Sequence, residues 1–140
     1  MAGWRQGLYV LEHPEKYKGD PNKVVYRSSW ELTLQQSFDR NPNIIEWASE
    51  EIAIDYFHPI EQRPAKYYPD FWVKYRDVDG NIHTELIEVK PKKQVKYPKR
   101  GSEHDRKTWF INMAKWSAAK KLCDAHGIKF RILTEEGLYK

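Results

Sequence analysis

The sequence feature that most constrains the fold is a predicted β-hairpin in the middle of the chain. Two strand-like runs, residues 70–75 and 82–90, flank a turn at 79–81 whose sequence, Asp-Gly-Asn, tolerates the positive φ angles of tight turns. A hairpin brings the start of its first strand against the end of its second. We therefore expect Asp70 to lie close to Glu88 and Lys90.

The second strand of this hairpin divides into two sets of side chains, because successive residues of a strand point to opposite faces. Leu86, Glu88 and Lys90 point to one face, and Ile87 and Val89 point to the other. A glutamate and a lysine thus interrupt an otherwise apolar strand close to its end.

The rest of the chain shows both helical and strand-like periodicity. Ser28 and Glu31 have the spacing of a capping box, which starts a helix that ends before Asn41 and Pro42. The further predicted elements are a strand at 52–56, a long helix at 109–123 capped by Gly127, a strand at 128–132 and a short terminal helix from Thr134.

This order predicts an α/β fold, with a mixed sheet of about four strands, the antiparallel hairpin at its centre and helices packed across it. The last strand follows a helical crossover, so we expect it to run parallel to its neighbour. A length of 140 residues suits a single domain, 1–140. Within it, residues 1–22 form an arm without sustained periodicity, and residues 91–107 form a basic loop.

Composition excludes several classes of protein. Five Phe, nine Tyr and six Trp indicate a packed interior and exclude a disordered chain. No run of about eighteen apolar residues occurs, and the N-terminal segment has no apolar run, so we expect neither a membrane helix nor a secretory signal. The single cysteine, Cys123, suits a buried position in a reducing compartment.

Basic residues are concentrated after the hairpin. The whole chain has 24 Lys and Arg against 20 Asp and Glu, but 90–107 has eight basic and two acidic residues. A polyanion is the natural partner of such a stretch, and a solvated loop without a ligand is the alternative. The candidate DNA-binding residues are Lys92, Lys93, Lys96, Lys99, Arg100, Arg106, Lys107 and, on the late helix, Lys120. For Lys120 the alternative is a side chain whose stem covers apolar surface.

The converging ends of the hairpin carry groups suited to metal-dependent hydrolysis of a phosphodiester. Mg²⁺ prefers oxygen ligands, which the carboxylates of Asp70 and Glu88 and the carbonyl of Val89 could supply, and Mn²⁺ is a potential substitute. A bound Mg²⁺ offsets charge at the attacked phosphate and acidifies a coordinated water. Lys90, on the strand face of Glu88, can orient or deprotonate that water.

Each of these residues also has a purely structural explanation. Glu88 and Lys90 could be a solvent-exposed ion pair, and an aspartate after proline, as at Asp70, often opens a turn. Their convergence beside a basic loop favours the catalytic interpretation. For Glu31 the capping box is a complete explanation, although Gln35 on the same helix face could accompany it to a metal site.

With these residues placed, the chain resembles nucleases of the PD-(D/E)xK superfamily, with Pro69-Asp70 and Glu88-Val89-Lys90 as the signature. A more specific similarity, over nearly the whole chain, is to the head-completion nucleases of T-even-type tailed bacteriophages. It is carried by YKGDP at 17–21, YRSSWE at 26–31, WASE at 47–50, PDFW at 69–72, EVKPKK at 88–93, Trp116 with Ala118-Ala119, and GIKFRILTE at 127–135.

The resemblance implies a restriction-endonuclease-like fold and Mg²⁺-dependent cleavage of DNA late in virion assembly, beside head or portal proteins. The implied place of action is the virion or the host cytoplasm. In the related core of the Tn7-type endonuclease subunit a helix glutamate joins the metal site. The resemblance places Glu31 in that position, as a fourth catalytic and metal-binding candidate beside Asp70, Glu88 and Lys90.

Two functions agree with these observations. In the first, the protein is a metal-dependent DNA endonuclease that acts in phage head completion. In the second, it keeps the nuclease fold as a DNA-binding structural protein at the portal vertex, and its catalysis is dispensable. The complete set of Asp70, Glu88 and Lys90 favours the first.

Overall fold

The computed structural model describes residues 6–138, so the first five residues of the predicted arm and the last two residues of the chain lie outside the described part. The elements of the described part are β1 (Gly7–Leu8), β2 (Val25–Tyr26), α1 (Ser29–Arg40), β3 (Ile44–Ser49), β4 (Ile54–His58), β5 (Arg63–Tyr67), β6 (Phe71–Arg76), β7 (Ile82–Val89), α2 (Glu103–His126), β8 (Lys129–Leu133) and α3 (Glu135–Leu138).

A four-stranded mixed sheet, in the order β3-β6-β7-β8, forms the centre of the fold. β6 and β7 are the predicted antiparallel hairpin, paired from Phe71 opposite Ile87 to Arg76 opposite Ile82. Gly80 lies in the turn with a φ of 85°, a left-handed conformation that glycine adopts without strain. β8 runs parallel to β7, as the helical crossover predicts. The α/β fold with a central hairpin is confirmed.

One strand of this sheet differs from the sequence prediction. The predicted strand at 52–56 corresponds to β4, which pairs with β5 in a separate two-stranded ribbon, while β3 supplies the fourth strand of the sheet. The prediction omits β3 because that strand lacks alternation. Its successive residues Trp47, Ala48 and Ser49 are all buried, so both of its faces are covered.

Two hydrophobic clusters lie on opposite faces of the sheet. Leu86 and Ile87 are successive residues of β7, so they point to opposite faces, and they belong to different clusters. The first cluster joins the sheet to α1 and the arm, and it contains Tyr17, Val24, Phe38, Trp47, Phe71, Val73 and Ile87. The second joins the sheet to α2 and the ribbon, and it contains Ile54, Tyr56, Tyr67, Leu86, Trp116, Ala119 and Cys123. The burial of Cys123 is confirmed.

The two long helices follow their capping signals. Ser28 caps α1 as predicted. α2 begins earlier than the predicted residue 109, because Ser102 and Asp105 form a capping box, and Gly127 ends it with a φ of 67°. Arg106 and Lys107 therefore lie in the first turns of α2 and not in the basic loop. Among residues 6–138, no helix is long and apolar enough to span a bilayer.

The described part of the N-terminal arm is tied to the end of α1. Asp39 accepts hydrogen bonds from the Tyr9 hydroxyl at 2.7 Å and from the backbone N–H groups of Glu12 and His13 at 2.8 and 2.9 Å. Lys16 Nζ donates to three backbone carbonyls at the C-terminal end of α1. From residue 6 onward, the arm is an ordered part of the domain.

Candidate active site

Asp70 lies at the open end of the central hairpin, just before β6. The pairing of Phe71 with Ile87 sets the register, so that the next residues outward, Asp70 and Glu88, face each other across the hairpin. Asp70 Oδ2 accepts a hydrogen bond from the backbone N–H of Val89 at 2.7 Å. The hairpin thus brings the two predicted carboxylates together and fixes the orientation of one of them.

Glu88 is only 7% exposed, on the strand face that it shares with Leu86. The Tyr67 hydroxyl donates a hydrogen bond to Glu88 Oε1 at 2.7 Å. Lys90 Nζ lies 3.7 Å from Glu88 Oε2 and is itself half-buried. A solvent-exposed ion pair, the structural alternative for Glu88 and Lys90, does not describe this arrangement.

The two carboxylates resist ionisation. Burial, followed by the charge of Glu88, raises the pKa of Asp70 to about 8, although the Val89 N–H and Lys90 favour its ionised form. Burial also raises the pKa of Glu88, against the hydrogen bond from the ribbon and the nearby lysine charges. A divalent cation would relieve both the burial cost and the repulsion of such a pair.

Glu31 approaches this pair from α1. Its backbone N–H donates to Ser28 Oγ at 3.2 Å, as expected for a helix cap. Burial and the charge of Glu50 raise the pKa of the Glu31 carboxylate, and the charge of Glu31 in turn raises the pKa of Asp70. The charge of Glu31 therefore acts on Asp70, and its role in a metal site stays a prediction.

The oxygen ligands at this site suit Mg²⁺, which usually keeps several waters, better than a metal ion whose ligands all come from the protein. Within residues 6–138, no three His, Cys, Asp or Glu side chains come close enough to ligate one ion. Mg²⁺ commonly takes one or two carboxylates and completes its octahedron with waters and substrate phosphate oxygens. Asp70 and Glu88 match that requirement, while roles for Glu31 and the Val89 carbonyl as ligands stay predictions.

Tyr67 is a residue of this site that the sequence prediction omits. It ends β5, is 4% exposed, and reaches Glu88 across the gap between the ribbon and the sheet. The prediction omits β5 as well, because Pro64 argues against a strand, although an edge strand accepts proline. No local sequence signal places Tyr67 beside Glu88.

Lys115 is the second omitted residue. Its Nζ lies 5.7 Å from the centroid of the Tyr67 ring and 6.0 Å from that of the Tyr56 ring, and its charge favours the ionised form of Glu88. Burial, followed by the charge of Lys90, lowers the pKa of Lys115. A signal existed in the sequence, since this lysine lies four residues after Ile111 and four before Ala119, on the apolar face of the helix.

The predicted DNA-binding residues have three kinds of surroundings. Lys92, Lys107 and Lys120 form ion pairs with Glu136 at 2.7 Å, Glu103 at 3.6 Å and Asp124 at 3.2 Å. Lys99 and Arg100 are exposed in the loop, and Arg106 is half-buried in α2. Lys93 and Lys96 line a pocket between the loop and α2. On α2, Lys115 and not the predicted Lys120 approaches the acidic pair.

Comparisons with known proteins show the family of the chain. A family model described as the TnsA-like endonuclease N terminal matches residues 41–135, a range that contains Asp70, Glu88, Lys90 and Lys115 but not Glu31. The chain is also 40% identical over 142 residues to the head completion nuclease of Enterobacteria phage T4, with 94% of this chain and 92% of that protein covered. The chain therefore belongs to the TnsA-like endonuclease family and to the family of that head completion nuclease.

Proposed function

We propose that this protein is an Mg²⁺-dependent endonuclease that hydrolyses phosphodiester bonds of DNA, with Mn²⁺ as a substitute metal. The observation that carries the proposal is half-buried Asp70 opposite buried Glu88, with Lys90 Nζ 3.7 Å from Glu88 Oε2. Family membership supports the endonuclease activity. The oxygen ligands support the metal, and the basic loop supports DNA as the substrate.

Asp70 and Glu88 would hold the metal ion with the Val89 carbonyl, and Glu31 would assist them through its charge, since among residues 6–138 no third carboxylate lies close enough to ligate the same ion. Bound there, Mg²⁺ would offset the charge of the attacked phosphate and acidify a water. The hydrogen bonds from Val89 N–H and the Tyr67 hydroxyl each occupy one carboxylate oxygen. They orient both carboxylates as outer-shell hydrogen bonds do in metal sites.

Two lysines supply positive charge near Glu88. Lys90 would orient the attacking water and stabilise the negative charge that develops on the phosphate. Lys115, half-buried against two tyrosine rings, would bind the scissile phosphate as a second cation. Lysine suits both roles because its amine is a compact charge on a flexible stem.

The basic loop, which follows Lys90 in the chain, and the start of α2 would hold the DNA backbone. Contacts of this kind position the nucleic acid without reading its sequence. The side chains available for contacts to the DNA backbone are Lys93, Lys96, Lys99, Arg100 and Arg106. Lys92, Lys107 and Lys120 would join them by exchanging their acidic partners for phosphate.

Plasmid cleavage tests the proposed activity. The purified protein should nick or linearise supercoiled plasmid with Mg²⁺ or Mn²⁺ and leave it intact in EDTA. Asp70→Asn and Lys90→Ala should stay folded and cut at least about 100-fold more slowly, the usual cost of losing one group that stabilises the transition state. The exposed-site controls Asp55→Asn and Lys121→Ala should cut like wild type. A wild-type protein that cuts no form of DNA with either metal would contradict the proposal.

The biological setting that we propose is head completion, in the virion or the host cytoplasm, beside head and portal proteins. The name of the phage T4 relative supports it. The alternative is a structural DNA-binding protein whose catalysis is dispensable. Complementation of a phage that lacks the gene separates the two, because a folded Glu88→Gln protein should fail to restore infectious particles. Full rescue by that variant would establish the structural alternative.

A further inference from the structure

A pocket of about 440 Å³ lies between the basic loop and the start of α2, a volume within the usual range for small-ligand sites. Its walls do not include Asp70, Glu88 or Lys90, so it is separate from the acidic pair. The side chains that matter for its chemistry are Lys93 and Lys96 from the loop and His104, Thr108, Trp109 and Asn112 from α2.

The pocket is close to the acidic pair along the chain. Lys93 follows Lys90 by three residues, so the two Cα atoms are at most about 11 Å apart. The chain segment that lines the pocket therefore begins next to the lysine of the candidate active site.

The walls of the pocket offer hydrogen-bonding groups without partners of their own. Trp109 Nε1 is buried and has no hydrogen-bond partner within residues 6–138. Asn112, 6% exposed, adds an amide with both donor and acceptor atoms. Buried donors of this kind are normally paired, so the Trp109 N–H would find an acceptor on a ligand only when the side chain turns that edge into the pocket. Nucleobase edges carry both acceptors and donors.

Aromatic rings continue from the pocket to the surface. Tyr97 and Phe110 each lie 5.1 Å, centroid to centroid, from the Trp109 ring, in edge-on geometry. The two outer rings are 43% and 48% exposed. Exposed aromatic rings beside lysines are the usual means by which proteins bind unpaired bases, since every base has a face that can stack.

The charge of the pocket favours an anion. Lys93 and Lys96 are exposed, donate only, and have no acidic partner among the ion pairs of the described residues. Asp105 also lines the pocket, but its carboxylate accepts a hydrogen bond from the backbone N–H of Ser102 at 3.0 Å and closes the cap of α2. Two lysines therefore face one carboxylate that is already engaged.

We propose that this pocket receives one unstacked nucleotide of the DNA, with the base against Trp109 and Asn112 and the phosphate against Lys93 and Lys96. The inference rests on the proposed function and adds the form of the substrate to it. The protein prefers DNA with an unpaired nucleotide near the cut to a continuous duplex, because an unpaired base leaves its stack at low cost.

Equilibrium binding in EDTA tests this preference without cleavage. Fluorescence anisotropy compares a fully paired duplex with the same duplex carrying one unpaired nucleotide. We expect wild type to bind the second about 10-fold more tightly, the scale of one base stacked on an aromatic ring. Thr108→Trp, which fills the pocket, should reduce the ratio to about one. Ser117→Trp adds the same ring at an exposed position two and a half helical turns away, on the opposite face of α2, and should keep the wild-type ratio.

A second measurement uses only the wild-type protein, in case Thr108→Trp fails to fold. A duplex with 5-iodouracil at the unpaired position should, on irradiation, crosslink to Tyr97, Trp109 or Phe110, and mass spectrometry identifies the peptide. Crosslinks exclusively outside residues 93–112, or equal wild-type affinity for both duplexes, would overturn the inference.

These outcomes are distinguishable from failure of the proposed function. A protein that cuts plasmid but binds both duplexes equally keeps the endonuclease and loses the nucleotide pocket. A protein that binds the unpaired nucleotide through this pocket but never cuts keeps the pocket and loses the catalytic proposal.

Discussion

The Tyr67 hydroxyl lies 2.7 Å from Glu88 Oε1, and this contact joins the β4-β5 ribbon to the central sheet at the acidic pair. Burial and the charge of Glu88 hold the pKa of Tyr67 well above its usual range. Tyr67 therefore stays a hydrogen-bond donor near neutral pH. The ribbon thus orients one carboxylate of the acidic pair, although no backbone pairing connects the ribbon to the sheet within residues 6–138.

The first prediction concerns this contact. Tyr67→Phe removes the hydrogen bond but keeps the ring in its core cluster, so the protein should fold normally. Losing an outer-shell partner of this kind typically weakens metal affinity or activity about 10- to 100-fold. Cleavage rates measured across a range of Mg²⁺ concentrations should show a higher half-saturation concentration. Tyr68→Phe, at the neighbouring 52% exposed tyrosine, is the matched control. An unchanged Mg²⁺ dependence in Tyr67→Phe would show that the contact plays no part in positioning Glu88.

The second prediction concerns the cost of ionising Asp70 in metal-free protein. Its folded-state pKa of about 8 exceeds the unfolded value of about 3.9, so a proton is bound on folding and stability falls as pH rises between these values. Asp70→Asn removes this cost. In EDTA the variant should be more stable than wild type by about 1–3 kcal/mol at the upper end of that range. The free energies of unfolding of the two proteins should converge at pH values below the pKa of Asp70 in the unfolded chain. Denaturant unfolding at several pH values measures the difference, and a variant that is less stable throughout would refute the prediction.

The third prediction concerns the anchor of the N-terminal arm. Burial alone would raise the pKa of Asp39, but hydrogen bonds from the Tyr9 hydroxyl and from the backbone of Glu12 and His13 hold it below its usual value. Ionised Asp39 therefore stabilises the protein at pH values above the pKa of Asp39 in the unfolded chain. This stabilisation is lost as pH falls through the pKa of Asp39 in the folded protein. Asp39→Asn should lower the free energy of unfolding by about 1–3 kcal/mol near neutral pH. The loss of unfolding free energy should be smaller in acid. The control Asp124→Asn, at an exposed position, should change the free energy of unfolding little. A pH-independent loss would mean that shape and not charge sets the role of Asp39.

The fourth prediction concerns Lys115. Lys115→Met keeps the stem of the side chain against Tyr56 and Tyr67 but removes the charge. Because burial disfavours the charged amine, the variant should be at least as stable as wild type. Its cleavage should slow by about 10-fold or more, the scale of a lost charge contact to a phosphate in a partly buried site. Lys121→Met, at an exposed position on the same helix, is the control. Wild-type cleavage by Lys115→Met would exclude Lys115 from the site.

Several parts of this structure were predictable because their signals are local. The hairpin follows from a turn sequence and from alternation on β7, and these alone bring Asp70 to Glu88. The start of α1 follows from the spacing of Ser28 and Glu31. The start of α2 has the same kind of signal, but its capping box uses Asp105 in place of the usual Glu or Gln, and the prediction therefore begins the helix too late.

Other parts depend on contacts between distant elements. β3 is covered on both faces and shows no period, and β5 contains a proline that is tolerated only at an edge. Tyr67 and Lys115 reach Glu88 because the ribbon and α2 pack on the same face of the sheet. Neighbours in sequence do not reveal that packing, so half of the residues that surround Glu88 are visible only in the folded structure.

The measurement that most directly tests the central claim is Mn²⁺ binding to the free protein, followed by electron paramagnetic resonance near neutral pH. If Asp70 and Glu88 form the cation site, wild type binds Mn²⁺, Glu88→Gln binds it at least about 10-fold more weakly, and exposed-site Glu61→Gln binds it like wild type. Equal affinity of wild type and Glu88→Gln, or no binding by wild type, would contradict the account.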